Sequence, residues 1–217
     1  KPTFLDTTEP ERIAKTVKSL GLKYVVLTSV TRDDLADGGV EHFIKTIKAI
    51  KACAPNTFIE VLIPDFKHNR NNLKQLLTAD ICVLNHNLET VKDLYPIVRS
   101  MGDYPNALNL LQIAKEFRPN IITKSGIMLG LGETREQIIQ TITDLKNVQI
   151  DILVISQYLQ PSIKHHQVAK YITPDEFLNY KRIAEKIGIK AVIATPFARS
   201  SYQALTAFKM ISDNKIE

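Results

Sequence analysis

The stretch that decides the fold is IITKSGIMLGLGETREQIIQTITDL, residues 121–145. Its first nine residues are dominated by apolar side chains rather than by an apolar–polar alternation, which is typical of a strand buried on both faces. A short glycine-containing loop follows, and Thr134 with Gln137 then forms a Ser/Thr-x-x-Glu/Gln capping box. The apolar residues after this box recur at helical spacing. The stretch therefore predicts one strand, one loop and one helix.

The same unit recurs along most of the chain. Strands are predicted at 24–27, 58–63, 81–84, 121–129, 152–155 and 191–194, and helices near 9–20, 40–50, 73–77, 107–117, 134–145 and 173–187. Thr8 with Glu11, and Thr173 with Glu176, predict further capping boxes. Parallel strands with apolar interiors are usually covered by amphipathic helices. We predict an α/β fold, a parallel partial (β/α)6 barrel of the TIM type, because no G-x-G-x-x-G follows the first strand.

The chain begins with a predicted helix, not with a strand, and it lacks an initiator Met. In a repeating β/α barrel this order indicates that a strand precedes the helix. We therefore expect the first strand of the barrel to be missing from this sequence.

Composition excludes several classes of protein. With 217 residues, 44% apolar and 24% charged, the chain is predicted to be globular with one or two domains. Its apolar runs are strand length and its first residues lack a signal pattern, so we expect no membrane association. A net charge of +5, spread along the helices, argues against a nucleic-acid partner. Cys53 and Cys82 have no metal-site spacing, and we expect both side chains to be buried. Free thiols suit a reducing compartment, so we expect the cytoplasm or, alternatively, the interior of a mitochondrion or plastid.

Polar residues cluster directly after each predicted strand, at the edge of a parallel sheet where such folds place their chemistry. They are Thr28, Ser29, Arg32, Asp33, Asp65, Asn85, His86, Asn87, Glu89, Lys124, Ser125, Glu133, Gln157, Tyr158, Arg199, Ser200 and Ser201. This mixture of hydroxyl, amide and charged groups suits a polar cofactor held by hydrogen bonds. No hydrolytic motif accompanies it.

Single residues in this cluster leave alternatives open. His86 is either a base or ligand, or a hydrogen-bonded structural histidine. The pair His165-His166 is either a metal site or a solvated loop pair. The segment 199–202, Arg-Ser-Ser-Tyr, is either a polar turn or an anion or metal site, since a guanidinium stands beside two hydroxyls.

The sequence segments around the predicted strand ends resemble those of the lipoyl synthases, a family of radical S-adenosylmethionine (SAM) enzymes. The matching segments are 24–34 with 37–39, 85–91, 123–134, 157–162 and 199–204. They follow the order of the family from about Lys1 to Ala204. The resemblance therefore implies a radical SAM core over 1–204 and a C-terminal tail over 205–217.

The resemblance also implies a reaction and its cofactors. Two [4Fe–4S] clusters and SAM are expected, the first cluster being held by a C-x-x-x-C-x-x-C loop. SAM cleavage there yields a radical that removes hydrogen from an octanoyl chain on a lysine of a lipoyl carrier domain. The auxiliary cluster supplies sulfur for C6 and C8. The implied partners are 2-oxoacid dehydrogenase E2 subunits, the glycine cleavage H protein, and ferredoxin or flavodoxin as electron donor.

The family's residue roles can be carried over to matching positions only. Ser201, with Ser200 as the second choice, is the implied ligand of the auxiliary cluster, and Arg199 is expected to steady the charge there. The positions implied around SAM are Thr28 and Ser29 near its methionine moiety, Asn87 and Glu89 near its ribose, and Lys124 and Gln157 along the same cavity.

The chain departs from the family at its cysteines. The sequence contains no C-x-x-x-C-x-x-C, and Cys53 and Cys82 match no family position. We expect a fragment of a functional lipoyl synthase that is inactive by itself. The alternatives are a degenerate, cluster-free barrel that only binds SAM or a lipoyl carrier protein, and an ordinary barrel enzyme that uses Lys124 and Glu89 in acid–base chemistry.

Overall fold

A computed structural model describes residues 3–212 of the chain, apart from the side chain of His68. Six strands lie within these residues: β1 Tyr24–Thr28, β2 Phe58–Leu62, β3 Val83–Asn85, β4 Ile122–Leu129, β5 Ile152–Gln157 and β6 Ala191–Ala194. The helices are α1 Glu9–Ser19, α2 Val40–Cys53, α3 Arg70–Leu77, α4 Tyr95–Val98, α5 Tyr104–Phe117, α6 Arg135–Asn147, α7 Pro174–Ile187 and α8 Ala204–Ser212. Short 3₁₀ turns, Phe66–His68 and Lys92–Leu94, precede α3 and α4.

The described residues form two compact units, the first made of 3–85 with 113–121. Strands β1, β2 and β3 are parallel neighbours in it, and their register aligns Tyr24 with Phe58 and Leu62 with Asn85. Helix α2 buries Val40, Phe43, Thr46, Ile47 and Ile50. This set repeats at helical spacing, and it shows why the sequence forms an amphipathic helix here.

The second unit consists of 86–112 with 122–212. Strands β4, β5 and β6 are parallel neighbours, with Lys124 aligned to Ile152 and Ile155 to Ala194. All six residues of β5 are buried, as expected for a parallel strand covered on both faces. Apolar residues of α6 and α7, including Ile142 and Phe177, pack against these strands in one core.

The predicted α/β class, with parallel strands in β/α order, is confirmed. The predicted strand 191–194 has the bounds of β6, while β5 continues to Gln157, two residues beyond the predicted end. Capping boxes at Thr134 and Thr173 are also confirmed. In the second box, Thr173 Oγ1 accepts from the amide of Glu176 at 3.2 Å, and Glu176 Oε2 accepts from the amide of Thr173 at 2.9 Å.

The capping box predicted at Thr8 is wrong. Thr8 is the N-cap of α1, but its backbone is already helical and its side chain makes no capping hydrogen bond. Asp6 captures both polar groups of Thr8 instead, because its Oδ1 accepts from the Thr8 amide at 2.9 Å and from the hydroxyl at 2.7 Å. A local side-chain turn has therefore replaced the cap.

Two helices were not predicted. Helix α4 contains four residues, too few for a helical repeat to appear in the sequence. Helix α8 lies in the segment predicted as a tail, yet it buries Ala207, Phe208 and Ile211. The boundary between 1–204 and 205–217 stays a prediction, and residues 213–217 lie outside the described residues. Over 3–212, every helix is too short or too polar to cross a membrane.

The two N-caps allow a matched test of stability. Thr173→Ala removes a side-chain acceptor from the first turn of α7 and should lower the free energy of unfolding by about 1 kcal/mol. Thr8→Ala removes no capping hydrogen bond and should change it by less than roughly 0.5 kcal/mol. Urea denaturation of both variants gives the two values, and equal losses would contradict the capping assignment.

Candidate functional site

A cavity of about 240 Å³ lies in the second unit, at the carboxyl ends of its strands. It is lined by Asn87, Glu89, Gly126, Ile127, Met128, Val154, Ser156, Gln157, Tyr158, Leu159, Pro161, Arg199 and Ser200. Six residues of the predicted polar cluster therefore meet here from separate parts of the sequence: Asn87, Glu89, Gln157, Tyr158, Arg199 and Ser200.

The segment after β3 enters this cavity through an unusual backbone turn. Glu89 has φ +70°, in the left-handed region that residues other than glycine rarely adopt. Its amide donates to the carbonyl of Gly126 at 3.0 Å, and its carbonyl accepts from the amide of Met128 at 2.8 Å. These bonds form an isolated parallel bridge to β4, so the backbone of Glu89 is fixed beside the cavity.

Asn87 provides a hydrogen-bond acceptor that no protein group uses. Its Nδ2 donates to Ser200 Oγ at 3.2 Å, while its Oδ1 is buried and has no partner among residues 3–212. A Cβ on Gly126 would lie 2.9 Å from this Oδ1, so glycine leaves the space that the amide needs. Buried acceptors without partners are unfavourable. This one fits a ligand that brings a hydroxyl or amino donor.

Glu89 adds a carboxylate to the same wall. Burial raises the pKa of Glu89 above its ordinary value, while the hydrogen bond from the Asn87 side chain and the positive charge of Arg99 oppose this rise. The carboxylate is an acceptor of the kind that binds sugar hydroxyl groups. Together, Asn87 and Glu89 present two hydrogen-bond acceptors to the cavity.

Lys124 lies elsewhere than the sequence predicted. It is fully buried, and it does not line the cavity with Gln157. Its Nζ donates to the carbonyl of Ser200 at 2.5 Å. Lys124 therefore anchors the segment that contains the two serines.

Gln157 lines the cavity and also holds its rim. Its Nε2 donates to the carbonyls of Tyr158 and Lys170, and its Oε1 accepts from the amide of Ile172 at 2.9 Å. The polar groups of this side chain are thus engaged by the protein. The geometry gives Gln157 a supporting position in the wall.

Residues 199–202 form a turn, closed by a 2.8 Å hydrogen bond from the amide of Tyr202 to the carbonyl of Arg199. The polar turn raised by the sequence is therefore present, and Arg199 and Ser200 within it line the cavity. The alternative of an anion or metal site stays a prediction. Ser200 is half-buried, whereas Ser201 is exposed. The hydroxyl of Ser201 makes no hydrogen bond within the described part of the chain. Its assignment as a cluster ligand stays a prediction.

Thr28 and Ser29 are exposed and line a different cavity, of about 370 Å³, within the first unit. His42 and Glu9 also line it, joined by a 2.7 Å contact between Nε2 and Oε2. Arg32 lies beside them and forms a two-pronged ion pair with Asp34, at 2.8 and 2.7 Å. This second cavity thus combines exposed hydroxyls with charged groups of both signs.

The described residues do not form an iron–sulfur site. Over 3–212, no three or more His, Cys, Asp or Glu side chains are grouped so that they could hold a metal ion. Cys53 and Cys82 are half-buried free thiols that donate to the backbone carbonyls of Ala49 and Ile59. Burial raises the pKa of Cys82 to about 12, which keeps it a thiol.

The histidine pair at 165 and 166 has separate partners, whereas the role of the His86 side chain stays a prediction. His86 is buried, and its amide donates to the carbonyl of Lys124 at 3.0 Å. His165 Nδ1 lies 2.9 Å from Ser162 Oγ, and His166 Nε2 lies 2.8 Å from the carbonyl of Leu131. The adjacent rings of 165 and 166 thus have separate contacts.

Comparison with known proteins places this fold and site in a class. Residues 1–145 match the radical SAM superfamily. Among solved structures, HydG, a maturase of the [FeFe]-hydrogenase, aligns over 96% of this chain and 49% of its own, with a TM-score of 0.70. At 14% sequence identity this likeness concerns the fold alone. It supports the predicted barrel architecture.

Two curated relatives define the family more narrowly. The lipoyl synthase of Caldicellulosiruptor bescii is 48% identical over 204 residues, covering 94% of this chain and 70% of that protein. The lipoyl synthase of Aquifex aeolicus is 48% identical over 203 residues, covering 94% of this chain and 74% of that protein. The chain belongs to the lipoyl synthase family of radical SAM enzymes.

The raised pKa of Glu89 predicts how stability depends on pH. The folded protein binds this proton more tightly than the unfolded chain, so stability falls as pH rises from the ordinary pKa of 4.5 through the raised one. Glu89→Gln removes this titration. The variant should therefore gain stability over the wild type as pH rises from about 4 to 7. Urea denaturation across that range measures the difference.

Glu136→Gln is the matched control, because its effect should have the opposite sign. Hydrogen bonds from its own amide and from Thr134 hold the pKa of Glu136 below its ordinary value. Its ionised form thus favours folding above pH 4.5, and the Gln variant should lose stability there. A Glu89→Gln effect that is constant with pH would contradict the burial of this carboxylate.

Proposed function

We propose that the natural gene product carries out the lipoyl synthase reaction, in which radical SAM chemistry inserts two sulfur atoms at C6 and C8 of a protein-bound octanoyl-lysine. The observation that carries this proposal is the 48% identity to lipoyl synthases over 94% of the chain. The cavity supports it, because residues from four of the five resembling segments supply its lining.

SAM fits the residues around the cavity of the second unit. Asn87 Oδ1 would accept a donor from the nucleoside, and the carboxylate of Glu89 would accept ribose hydroxyl groups. The cavity volume of about 240 Å³ is below the roughly 300–1,000 Å³ of pockets that enclose a whole small molecule. We therefore assign only the nucleoside half of SAM to it. When bound, SAM supplies the radical that removes hydrogen from the octanoyl chain.

Thr28 and Ser29 are proposed, from the family resemblance alone, as contacts of the methionine moiety of SAM. Both residues are exposed within the cavity of the first unit, so their hydroxyls are available to an amino acid carboxylate or ammonium group. Lys124 and Gln157 were also predicted to line the SAM cavity. We propose that they support it instead: Lys124 holds the carbonyl of Ser200, and Gln157 holds the carbonyl of Lys170.

The two iron–sulfur clusters do not fit the described residues, since the cysteine ligands of both are missing from them. Ser201 is the ligand that we propose from this chain for the auxiliary cluster. Its hydroxyl is exposed and uncommitted, while Ser200 is engaged by Asn87 and Lys124. An oxygen ligand is unusual for such clusters, which favour thiolates. Arg199, beside it, is proposed to steady the local negative charge.

The proposed substrates are octanoylated lipoyl carrier domains, those of 2-oxoacid dehydrogenase E2 subunits and the glycine cleavage H protein. Ferredoxin or flavodoxin is the proposed electron donor. A net charge of +5 favours approach by acidic partners. Placement in the cytoplasm is proposed from the bacterial origin of the relatives.

The two serines give a test in the natural gene product, prepared anaerobically. Ser201→Ala should leave SAM cleavage largely intact but reduce lipoyl formation at least about tenfold, equivalent to roughly 1.4 kcal/mol of barrier. Ser200→Ala is the matched control, since it removes a hydroxyl bonded to Asn87 instead of the exposed one. Mass spectrometry of 5′-deoxyadenosine and of an octanoylated carrier peptide measures both steps. Equal lipoyl yield from Ser201→Ala and wild type would remove Ser201 from this role.

The absence of a metal-binding group from residues 3–212 favours one alternative, a barrel that binds SAM or a lipoyl carrier protein without clusters. Iron and acid-labile sulfide analysis of the same gene product separates the two functions. The proposed synthase should contain both elements in stoichiometric amount. A product that binds a lipoyl carrier domain but contains no iron would favour the binding protein.

A further inference from the structure

We propose that Arg99 is a positioning residue for the nucleoside cavity, which holds the Asn87–Glu89 segment in place without touching the ligand. This role deepens the proposed function, and the ligand-binding part of its test rests on that function. Arg99 does not line the cavity, and its assignment comes from three contacts to the backbone and side chains behind the cavity wall.

The segment needs such support because its backbone is strained. Glu89 adopts a positive φ of +70°, and its own amide and carbonyl are bonded to β4. The two carbonyls before it, those of Asn87 and Leu88, take no part in that bridge. Without partners they would be unsatisfied groups next to a strained residue.

Arg99 meets both carbonyls. Its Nη1 donates to the carbonyl of Asn87 at 2.8 Å and lies 3.4 Å from that of Leu88. Tyr95 adds a second donor, since its hydroxyl bonds to the carbonyl of Leu88 at 2.7 Å. The guanidinium also stacks over the ring of Tyr95, with Cζ 5.7 Å from the centroid. One residue thus joins the end of α4 to the cavity wall.

The position of Arg99 is itself supported. Tyr95 packs edge-on against Tyr104, with ring centroids 5.3 Å apart, and the Tyr104 hydroxyl donates to Asp144 Oδ2 at 2.9 Å. Gly102 lies so close that a Cβ there would be 2.7 Å from Arg99 Cγ. Helices α4, α5 and α6 therefore cooperate to place one guanidinium group.

Arg99 also influences the charge of Glu89. Burial is the main effect on the pKa of this carboxyl and raises it, while the charge of Arg99 lowers it. Other charged or titratable groups near this carboxyl include Tyr95 of α4, Asp103, which acts on Tyr95, and Arg199 after β6. Polar residues of the same cavity include Asn87, Ser156, Gln157, Tyr158 and Ser200. A ligand hydroxyl is bound best by the ionised carboxylate. Loss of Arg99 should therefore weaken ribose binding through Glu89.

The test compares Arg99→Gln and Arg99→Lys with Arg118→Gln in the 217-residue chain. Arg118 is a matched control, because its Nη1 also donates to two backbone carbonyls, those of Leu77 and Ala79 at 3.3 and 3.1 Å, and it lines no part of the cavity. ¹³C NMR titration of labelled glutamate gives the pKa of Glu89. Hydrogen exchange gives the protection of its amide, which is bonded to Gly126.

In Arg99→Gln the pKa of Glu89 should rise, and its amide should exchange at least roughly tenfold faster, the effect expected from losing a hydrogen bond to a charged group. Arg99→Lys should restore the pKa, because it keeps the charge, while exchange stays faster. Arg118→Gln should leave both unchanged at Glu89. An unchanged pKa and exchange rate in Arg99→Gln, or the same shifts in Arg118→Gln, would overturn the proposal.

The ligand arm uses adenosine and 2′,3′-dideoxyadenosine in calorimetric titrations between pH 4 and 8. The wild type should prefer adenosine and lose the preference as pH falls through the pKa of Glu89. In Arg99→Gln the same loss should occur at higher pH. If the wild type shows no preference while the pKa and exchange of Glu89 still respond to Arg99, the positioning role stands and the nucleoside assignment in the proposed function fails.

Discussion

The candidate site depends on the two backbone hydrogen bonds between Glu89 and strand β4. They hold Glu89, a residue with a side chain, in the left-handed region beside β4. Because of this turn, Asn87 and Glu89 both lie along the cavity, whereas Leu88 between them is fully buried. A regular extended strand would also place residues 87 and 89 on one face. It would not bring the Asn87 amide beside Gly126, where the missing Cβ leaves room for that amide.

Two polar side chains near the cavity, Lys124 and Asn87, hold the turn after β6 in place. Lys124 is an unusual core residue, since burying an ammonium group is unfavourable unless strong acceptors compensate it. Its bond to the carbonyl of Ser200 provides one such acceptor and links β4 to the turn after β6. Asn87 makes a second link to the same serine. The two serines therefore differ: Ser200 is held by the protein and Ser201 is exposed.

The family and the structure together define what this chain contributes to a radical SAM enzyme. The likeness to lipoyl synthases extends over nearly all of the chain. Residues 3–212 nevertheless contain no grouping of three or more His, Cys, Asp or Glu side chains that could hold a metal ion. What they contain is a cavity with an unused acceptor, a half-buried carboxylate and an exposed serine. The proposed binding of SAM and of the auxiliary cluster rests on these features. Hydrogen bonds that hold a cavity wall before binding reduce the ordering cost of binding.

The amino-acid sequence by itself determined the α/β class, the alternation of strands and helices along the chain, and two of the three predicted capping boxes. The reason is that the spacing of apolar residues and the chemistry of N-caps act over a few neighbouring residues. It also brought Asn87, Glu89, Gln157, Arg199 and Ser200 to one predicted edge. Only the tertiary structure decided which polar groups face the cavity and which support it. The contact of Asn87 with Ser200 joins residues 113 positions apart. Lys124, Gln157 and Arg99 bind carbonyls that are 76, 13 and 12 positions away, beyond the reach of a local sequence pattern.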